Sequence, residues 1–136
     1  MKQSILALEK DLFFSVKIRD TLKHHEMEAT TVRTLAAFEQ RLAGEEKPAL
    51  AIVNISTMGV DWEAAIRAAR AAGLPVLAFG SHMDLDARAR ALSAGAHKVV
   101  ANSKLSSDMP GLVRRMLNSP AGMAPSSEDE EADSEE

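Results

Sequence analysis

Leu50-Ala51-Ile52-Val53-Asn54-Ile55 is the most apolar run in the chain, and an amide interrupts it near its end. Continuous aliphatic character without polar alternation fits a strand buried on both faces, as strands of a parallel sheet are. Asn54 falls where that strand hands over to a loop. In an open α/β sheet the carboxyl ends of the strands form the crevice where ligands sit and chemistry is done. A carboxylate at that place accepts a phosphoryl group or binds a metal, whereas a neutral amide does neither well.

Outward from this run, four further short apolar stretches alternate with helical patterns: residues 5–8, 29–32, 76–79 and 98–101 beside 49–55. That alternation is the sequence sign of βα units around a mostly parallel sheet. The intervening segments carry apolar residues at three- and four-residue spacing: Leu12, Phe13, Val16 and Leu22; Leu35, Phe38 and Leu42; Trp62, Ala65, Ile66 and Ala69; Leu85, Ala89 and Leu92; and Met109, Leu112, Val113, Met116 and Leu117. Such spacing predicts helices whose apolar stripes pack into the core. Gly44, Gly73 and Gly95 each follow a periodic segment, as C-terminal capping glycines do. Ser81-x-x-Asp84 has the form of a capping box at a helix start. Trp62 reads as a packing residue.

The chain has 136 residues, enough for one core and not for two ordinary domains. Its net charge of −4 is unevenly placed, because seven acids lie between Glu128 and Glu136 with no base among them, leaving 16 bases against 13 acids elsewhere. Ser, Pro, Gly and acids dominate beyond Asn118, so the expectation is a domain over residues 1–118 and a disordered acidic tail over 119–136. Without cysteine there is no disulfide framework, thiolate site or sulfur-bound zinc. The apolar stretch before Glu9 is too short for a signal peptide or a membrane span, which points to a cytoplasmic protein. His24 and His25 are adjacent and face different ways on a helix, and His82 and His97 stand alone as surface residues, so no metal site is expected.

At the level of named residues the pattern resembles the receiver domain of bacterial two-component response regulators. The resemblance covers residues 4–117 and rests on the order of strands and helices and on two stretches, Ala51-Ile52-Val53-Asn54-Ile55-Ser56-Thr57-Met58-Gly59-Val60-Asp61 and Ala94-Gly95-Ala96-His97-Lys98-Val99-Val100. It implies an α/β, flavodoxin-like, doubly wound five-stranded parallel sheet, strand order 2-1-3-4-5, with five flanking helices. It also implies a site at the carboxyl edge: two acids after the first strand for Mg²⁺, an aspartate ending the third as phosphoacceptor, a Thr or Ser ending the fourth and a Lys ending the fifth. Mg²⁺ and ammonium offset the charge of a transferring phosphoryl group.

This sequence departs from that set at nearly every position. Glu9 and Lys10 stand after the first strand, with Asp11 next; Asn54 stands at the acceptor; Gly80 falls at the hydroxyl position with Ser81 one residue later; Asn102 replaces the lysine, and Val99 the aromatic residue of the fifth strand. Lys10 either pairs with Glu9 or Asp11 in the vacated metal place or points to solvent. The resemblance therefore implies a degenerate pseudo-receiver, not an enzyme, with no cofactor. Its expected work is phosphorylation-independent protein interaction through the face of the fourth helix, fifth strand and fifth helix, which in this family serves a signalling partner or a homodimer. Arg88, Arg90, Lys98, Lys104, Arg114 and Arg115 make that face basic, so an acidic partner or the chain's own tail is attracted to it. The alternatives are an atypical but working phospho-receiver and a flavodoxin-like ligand-binding domain, the latter opposed by the bulky, acidic Glu9-Lys10-Asp11-Leu12-Phe13-Phe14 loop. Nucleic acid is disfavoured by the acidic tail and the lack of a helix-turn-helix segment.

Overall fold

A computed structural model describes residues 3–81 and 85–118. Strands and helices alternate throughout: β1 (Gln3–Leu8), α1 (Leu12–Lys23), β2 (Met27–Val32), α2 (Leu35–Leu42), β3 (Leu50–Asn54), α3 (Trp62–Ala71), β4 (Val76–Gly80), α4 (Leu85–Ala94), β5 (Lys98–Ala101) and α5 (Asn102–Leu117). The five strands form one parallel sheet of order β2-β1-β3-β4-β5. This is the flavodoxin-like arrangement the sequence implies.

Successive strand residues point to opposite faces, and the two faces feed two cores. Leu6, Leu8, Ala51, Val53, Val76, Ala78 and Val99 pack against Phe38 and Leu42 of α2, Trp62, Ile66 and Ala69 of α3, and Ala91 of α4. Ile5, Ala7, Leu50, Ile52, Leu77, Phe79 and Val100 pack against Ile18 and Leu22 of α1 and Leu105, Met109, Leu112 and Val113 of α5. Leu50, Ala51, Ile52 and Val53 are completely buried, which explains the unbroken apolar character of β3. Trp62 is buried, as a packing residue is.

Three local features differ from the sequence expectation. The buried side chains of α1 are Ser15, Ile18 and Leu22, while Leu12, Phe13 and Val16 are exposed. The spacing of these apolar residues is helical, but Ser15 takes a buried place because its Oγ donates to the carbonyl of Glu9 at 3.2 Å. In α4 the buried residue is Ala91, and Leu85 is exposed. The fifth helix starts at Asn102, directly after β5, well before Met109. It breaks at Asp108 (φ −143°, ψ 35°) just ahead of Pro110, whose ring cannot donate a helical hydrogen bond and crowds the carbonyl four residues back.

Gly73 (φ +87°) and Gly95 (φ +124°) take the left-handed backbone expected after α3 and α4, whereas Gly44 does not and Ala43 caps α2. The turn after α1 is made by Glu26, a non-glycine residue with φ +62°. Asp84, His82 and the acidic tail lie outside the described residues. Among the described residues no helix is long and apolar enough to cross a membrane.

Candidate functional site at the carboxyl edge

Parallel registry decides what meets at the carboxyl edge. Leu8 pairs with Val53, Asn54 with Phe79 and Gly80 with Ala101. Glu9, the residue after β1, is thereby brought beside Asn54 at the end of β3. The Glu9 carboxylate turns inward and only 1 % of the residue remains exposed. One oxygen, Oε1, accepts from Asn54 Nδ2 at 2.9 Å, and the other, Oε2, accepts from the Asp11 backbone N–H at 3.0 Å. Burial pushes the pKa of Glu9 above the ordinary glutamate range, and the nearby Asp11 carboxylate adds to the rise. The Asp11 N–H and the Asn54 amide oppose that rise by favouring the charged form.

The same amide shapes the loop beyond it. Asn54 Oδ1 accepts from the Ser56 backbone N–H at 2.8 Å, the two-residue reach of an Asx turn. Ser56 Oγ then donates to the Ser81 carbonyl at 2.6 Å, joining the β3–α3 loop to the end of β4. Lys10 crosses from the other side, its ammonium donating to the Met58 carbonyl at 3.2 Å. Neither Glu9 nor Asp11 is its hydrogen-bonding partner. Asp11 instead caps α1, its Oδ1 accepting from the Phe13 N–H at 2.9 Å.

The seven residues named for a phosphorylation pocket thus fall into three groups. Glu9, Asp11 and Asn54 belong to one hydrogen-bonded network, and Lys10 stands beside it on the Met58 carbonyl. Gly80 is buried in β4, and Ser81 enters through its backbone carbonyl. Asn102 opens α5 one residue past the Ala101 that pairs with Gly80. A divalent cation fits this donor set poorly. Both Glu9 oxygens already accept hydrogen bonds, Asp11 is spent on a helix cap, and an ammonium stands between them in sequence. Among the described residues no group of three or more His, Asp or Glu side chains is placed to hold a metal.

Sequence reasoning missed Ser56 and Ser15 as members of this network and Met58 as the partner of Lys10. Asn54-x-Ser56 was the available signal for the first, since Asn bonding the backbone two residues on is a standard turn. Nothing in the linear sequence pairs Lys10 with Met58, because that contact depends on β1 and β3 being neighbours.

The six basic residues read as one face are divided by their contacts. Arg90 turns to α3, 2.7 Å from Glu63 Oε1 and 5.0 Å from the Trp62 ring centroid, with Asp86 at 3.6 Å. Arg90 holds Glu63 below the ordinary carboxylate range, first by that hydrogen bond. Arg114 turns to the end of α1, 3.3 Å from His25 Nδ1 and 3.5 Å from the His25 carbonyl. Arg115 bonds Asp108 within its own helix at 3.1 Å. Arg88 lies in α4, Lys98 opens β5 and Lys104 lies in the first stretch of α5, and Arg88 and Lys98 also have contacts of their own.

The histidines have structural partners. His24 Nδ1 lies 2.7 Å from the Asp20 carbonyl at the end of α1. His97 is half-buried, and its Nδ1 accepts from the Val76 backbone N–H at 3.1 Å. Desolvation, then the charge of Arg70, keep the His97 pKa below its ordinary value. His82 lies outside the described residues.

Comparison with solved structures returns receiver domains. The chain superposes on the BeF3-activated N-terminal receiver domain of Klebsiella pneumoniae RstA with a TM-score of 0.76 and 21% identity, covering 86% of this chain and 100% of that one. The phosphorylated cyanobacterial phytochrome response regulator RcpA matches with a TM-score of 0.75 and 15% identity over 90% of this chain and 100% of that one. The signal receiver domain of a signal transduction histidine kinase from Syntrophus aciditrophicus matches with a TM-score of 0.74 and 18% identity over 90% and 97%. The chain matches no family profile and no curated protein. At these identities the likeness establishes the fold, which is that of CheY-like receiver domains.

Proposed function

We propose that this chain is a phosphorylation-independent signalling module, a pseudo-receiver that binds protein partners and catalyses nothing. The observation that carries this reading is the hydrogen bond from Asn54 Nδ2 to Glu9 Oε1. At the place where a receiver holds its acceptor carboxylate, the chain holds an amide already committed on both sides, to Glu9 and to Ser56. An acyl-phosphate acceptor needs a free lone pair on a carboxylate oxygen, and Asn54 offers none.

Loss of the acceptor also supports a single conformation for the β3–α3 loop. A ligand or modification shifts an equilibrium only if it favours one of two accessible states. Bonds from Asn54, Ser56 and Lys10 fix the loop to β1 and to the end of β4 without any phosphate. On this reading the module works in the cytoplasm and offers a constant surface, and the face of α4, β5 and α5 takes a signalling partner or a second copy.

The test is incubation with acetyl phosphate and Mg²⁺ followed by intact-mass measurement. The expected result is no added phosphate for the wild type. The Asn54→Asp variant is also expected to stay unmodified, because Lys10, Gly80 and Asn102 replace the metal acid, hydroxyl and lysine. Wild-type protein that gains one phosphate on an aspartate overturns the reading in favour of an atypical phospho-receiver.

A further inference from the structure

Every large apolar side chain that the described residues leave exposed lies towards the carboxyl edge of the sheet: Leu12, Phe13 and Val16 on the first turns of α1, Met58 in the β3–α3 loop, and Leu85 at the start of α4. Four of the five form one neighbourhood. Lys10, two residues before α1, bonds the Met58 carbonyl and so draws that loop towards the start of α1, where Leu12 and Phe13 lie. Phe13 is 88% exposed and Met58 84%. Isolated exposed apolar residues need no explanation, but a cluster of this kind marks a surface that something covers.

The surroundings of the cluster are basic. Lys10, Lys17, Arg19 and Lys23 are exposed on and just before α1 and have no ion pair among the described residues, against two exposed acids in the same stretch, Asp11 and Asp20. The first turn of α1 holds no acid, so the positive end of its dipole is unopposed beyond the Asp11 cap. An apolar patch with bases in excess over acids around it, ending on a helix N-terminus, suits an occupant that combines a short apolar stretch with a run of acids.

We infer that the occupant is the chain's own C-terminal segment, residues 119–136, lying back along α1. Three observations select it. The first is where it begins: Arg114 contacts His25, so the last turn of α5, from which the segment leads on, lies near the end of α1. The second is reach. A 12-residue helix is about 18 Å long at ~1.5 Å per residue, and extended chain covers that distance in roughly six residues at ~3.3 Å each. Met123, Ala124 and Pro125 therefore arrive at Val16, Phe13 and Leu12. The third is charge. Beyond those residues the acids from Glu128 to Glu136 come level with Lys10 and the start of α1. Tethering makes the encounter intramolecular, with an effective concentration in the millimolar range for a short flexible link. A second copy is a poorer fit, because it brings two basic helix faces together. The arrangement covers α1 and leaves the β5 edge open, so it stands independently of whether the chain accepts phosphate.

The chain contains no cysteine, so Ala124→Cys and Ser134→Cys each place one nitroxide label in the full-length protein. Paramagnetic broadening of amide signals is read at low salt and at about 0.5 M salt, where screening reaches only a few ångströms. The label at position 124 is expected to remove at least half the signal of Phe13 and Val16. The label at position 134 is expected to do the same at Lys10 and Met58, with recovery in high salt. Phe13→Ser is expected to release the first effect, and Phe13 is exposed enough that the fold survives the change. Broadening confined to Arg114–Asn118, or falling on Arg88 and Lys98, overturns the inference. Broadening that appears only on an unlabelled copy mixed with a labelled one also overturns it, in favour of a second copy.

Discussion

Asn54 and Glu9, 45 residues apart in sequence, are joined by a 2.9 Å hydrogen bond in which the amide nitrogen donates to the buried carboxylate. Adjacency of β1 and β3 makes the bond possible, and it ties the ends of the two central strands together. A buried carboxylate left with one oxygen unsatisfied costs about 1–3 kcal/mol, more when charged. Asn54→Ala is therefore expected to lower stability by roughly that amount, read as a shifted midpoint in urea denaturation with unchanged slope. Asn54→Asp places a second carboxyl against Glu9 and is expected to be worse at neutral pH, recovering on acidification as the pair takes up one proton. Equal stability of the Asp variant at acid and neutral pH would sink this account.

Glu9 makes a pH prediction of its own. Its folded pKa is raised, so the folded protein holds this proton more tightly than the unfolded chain does. The stability it contributes is fully present below the unfolded glutamate pKa of about 4.3 and declines as pH rises through the folded value. Glu9→Gln should flatten that decline. Urea unfolding of both proteins across the mildly acidic range checks it, and parallel curves argue against the assignment.

His97 runs in the opposite sense. Its folded pKa is lowered, by desolvation first and by Arg70 second, so its contribution is present above the unfolded value of about 6.5 and is lost as pH falls through the folded pKa. Protonation also removes the lone pair that accepts from the Val76 N–H. His97→Ala is expected to cost about 1–3 kcal/mol at neutral pH by orphaning that donor. The variant should lack the acid-sensitive step that wild type shows in chemical-shift titration.

Gly95 tests close packing at the amino edge. Its φ of +124° is open to glycine alone, and a Cβ there would lie 2.6 Å from Arg70 Cγ, while Arg70 also donates to the Gly95 carbonyl at 2.8 Å. Gly95→Ala is expected to destabilise by ~1–3 kcal/mol from backbone strain alone. Adding Arg70→Ala should recover only the part due to the clash. Full recovery in the double variant shows that the backbone is not strained.

Much of this architecture was legible in the sequence, and the reasons are local. Leu50 to Val53 are apolar because both faces of β3 are buried, and Gly73 and Gly95 punctuate helices because left-handed backbone is needed there. Asn54 was marked by its place at the end of an apolar strand, and Glu9 and Lys10 by the resemblance to receiver domains. What stayed hidden depends on contacts between distant segments. Leu12, Phe13 and Val16 have helical spacing, yet the hydroxyl of Ser15 claims the buried side of α1 through the Glu9 carbonyl. Arg90 and Arg114 look alike in a list of charges, and only the fold sends one to α3 and the other to the α1–β2 turn. The break at Asp108 had its cue in Pro110, but the helix before it starts with Asn102 and Ser103, which carry no strong helical signal.

That break divides α5 into two separate helical stretches. Backbone hydrogen bonding is interrupted at Asp108 and Pro110, so order does not propagate from the well-anchored second stretch into the first. A helix of one to two turns is marginal by itself, and the first stretch contributes one fully buried side chain, Leu105. Leu105 is therefore the one fully buried anchor of the stretch between β5 and the break, so that stretch is expected to open more readily than the second.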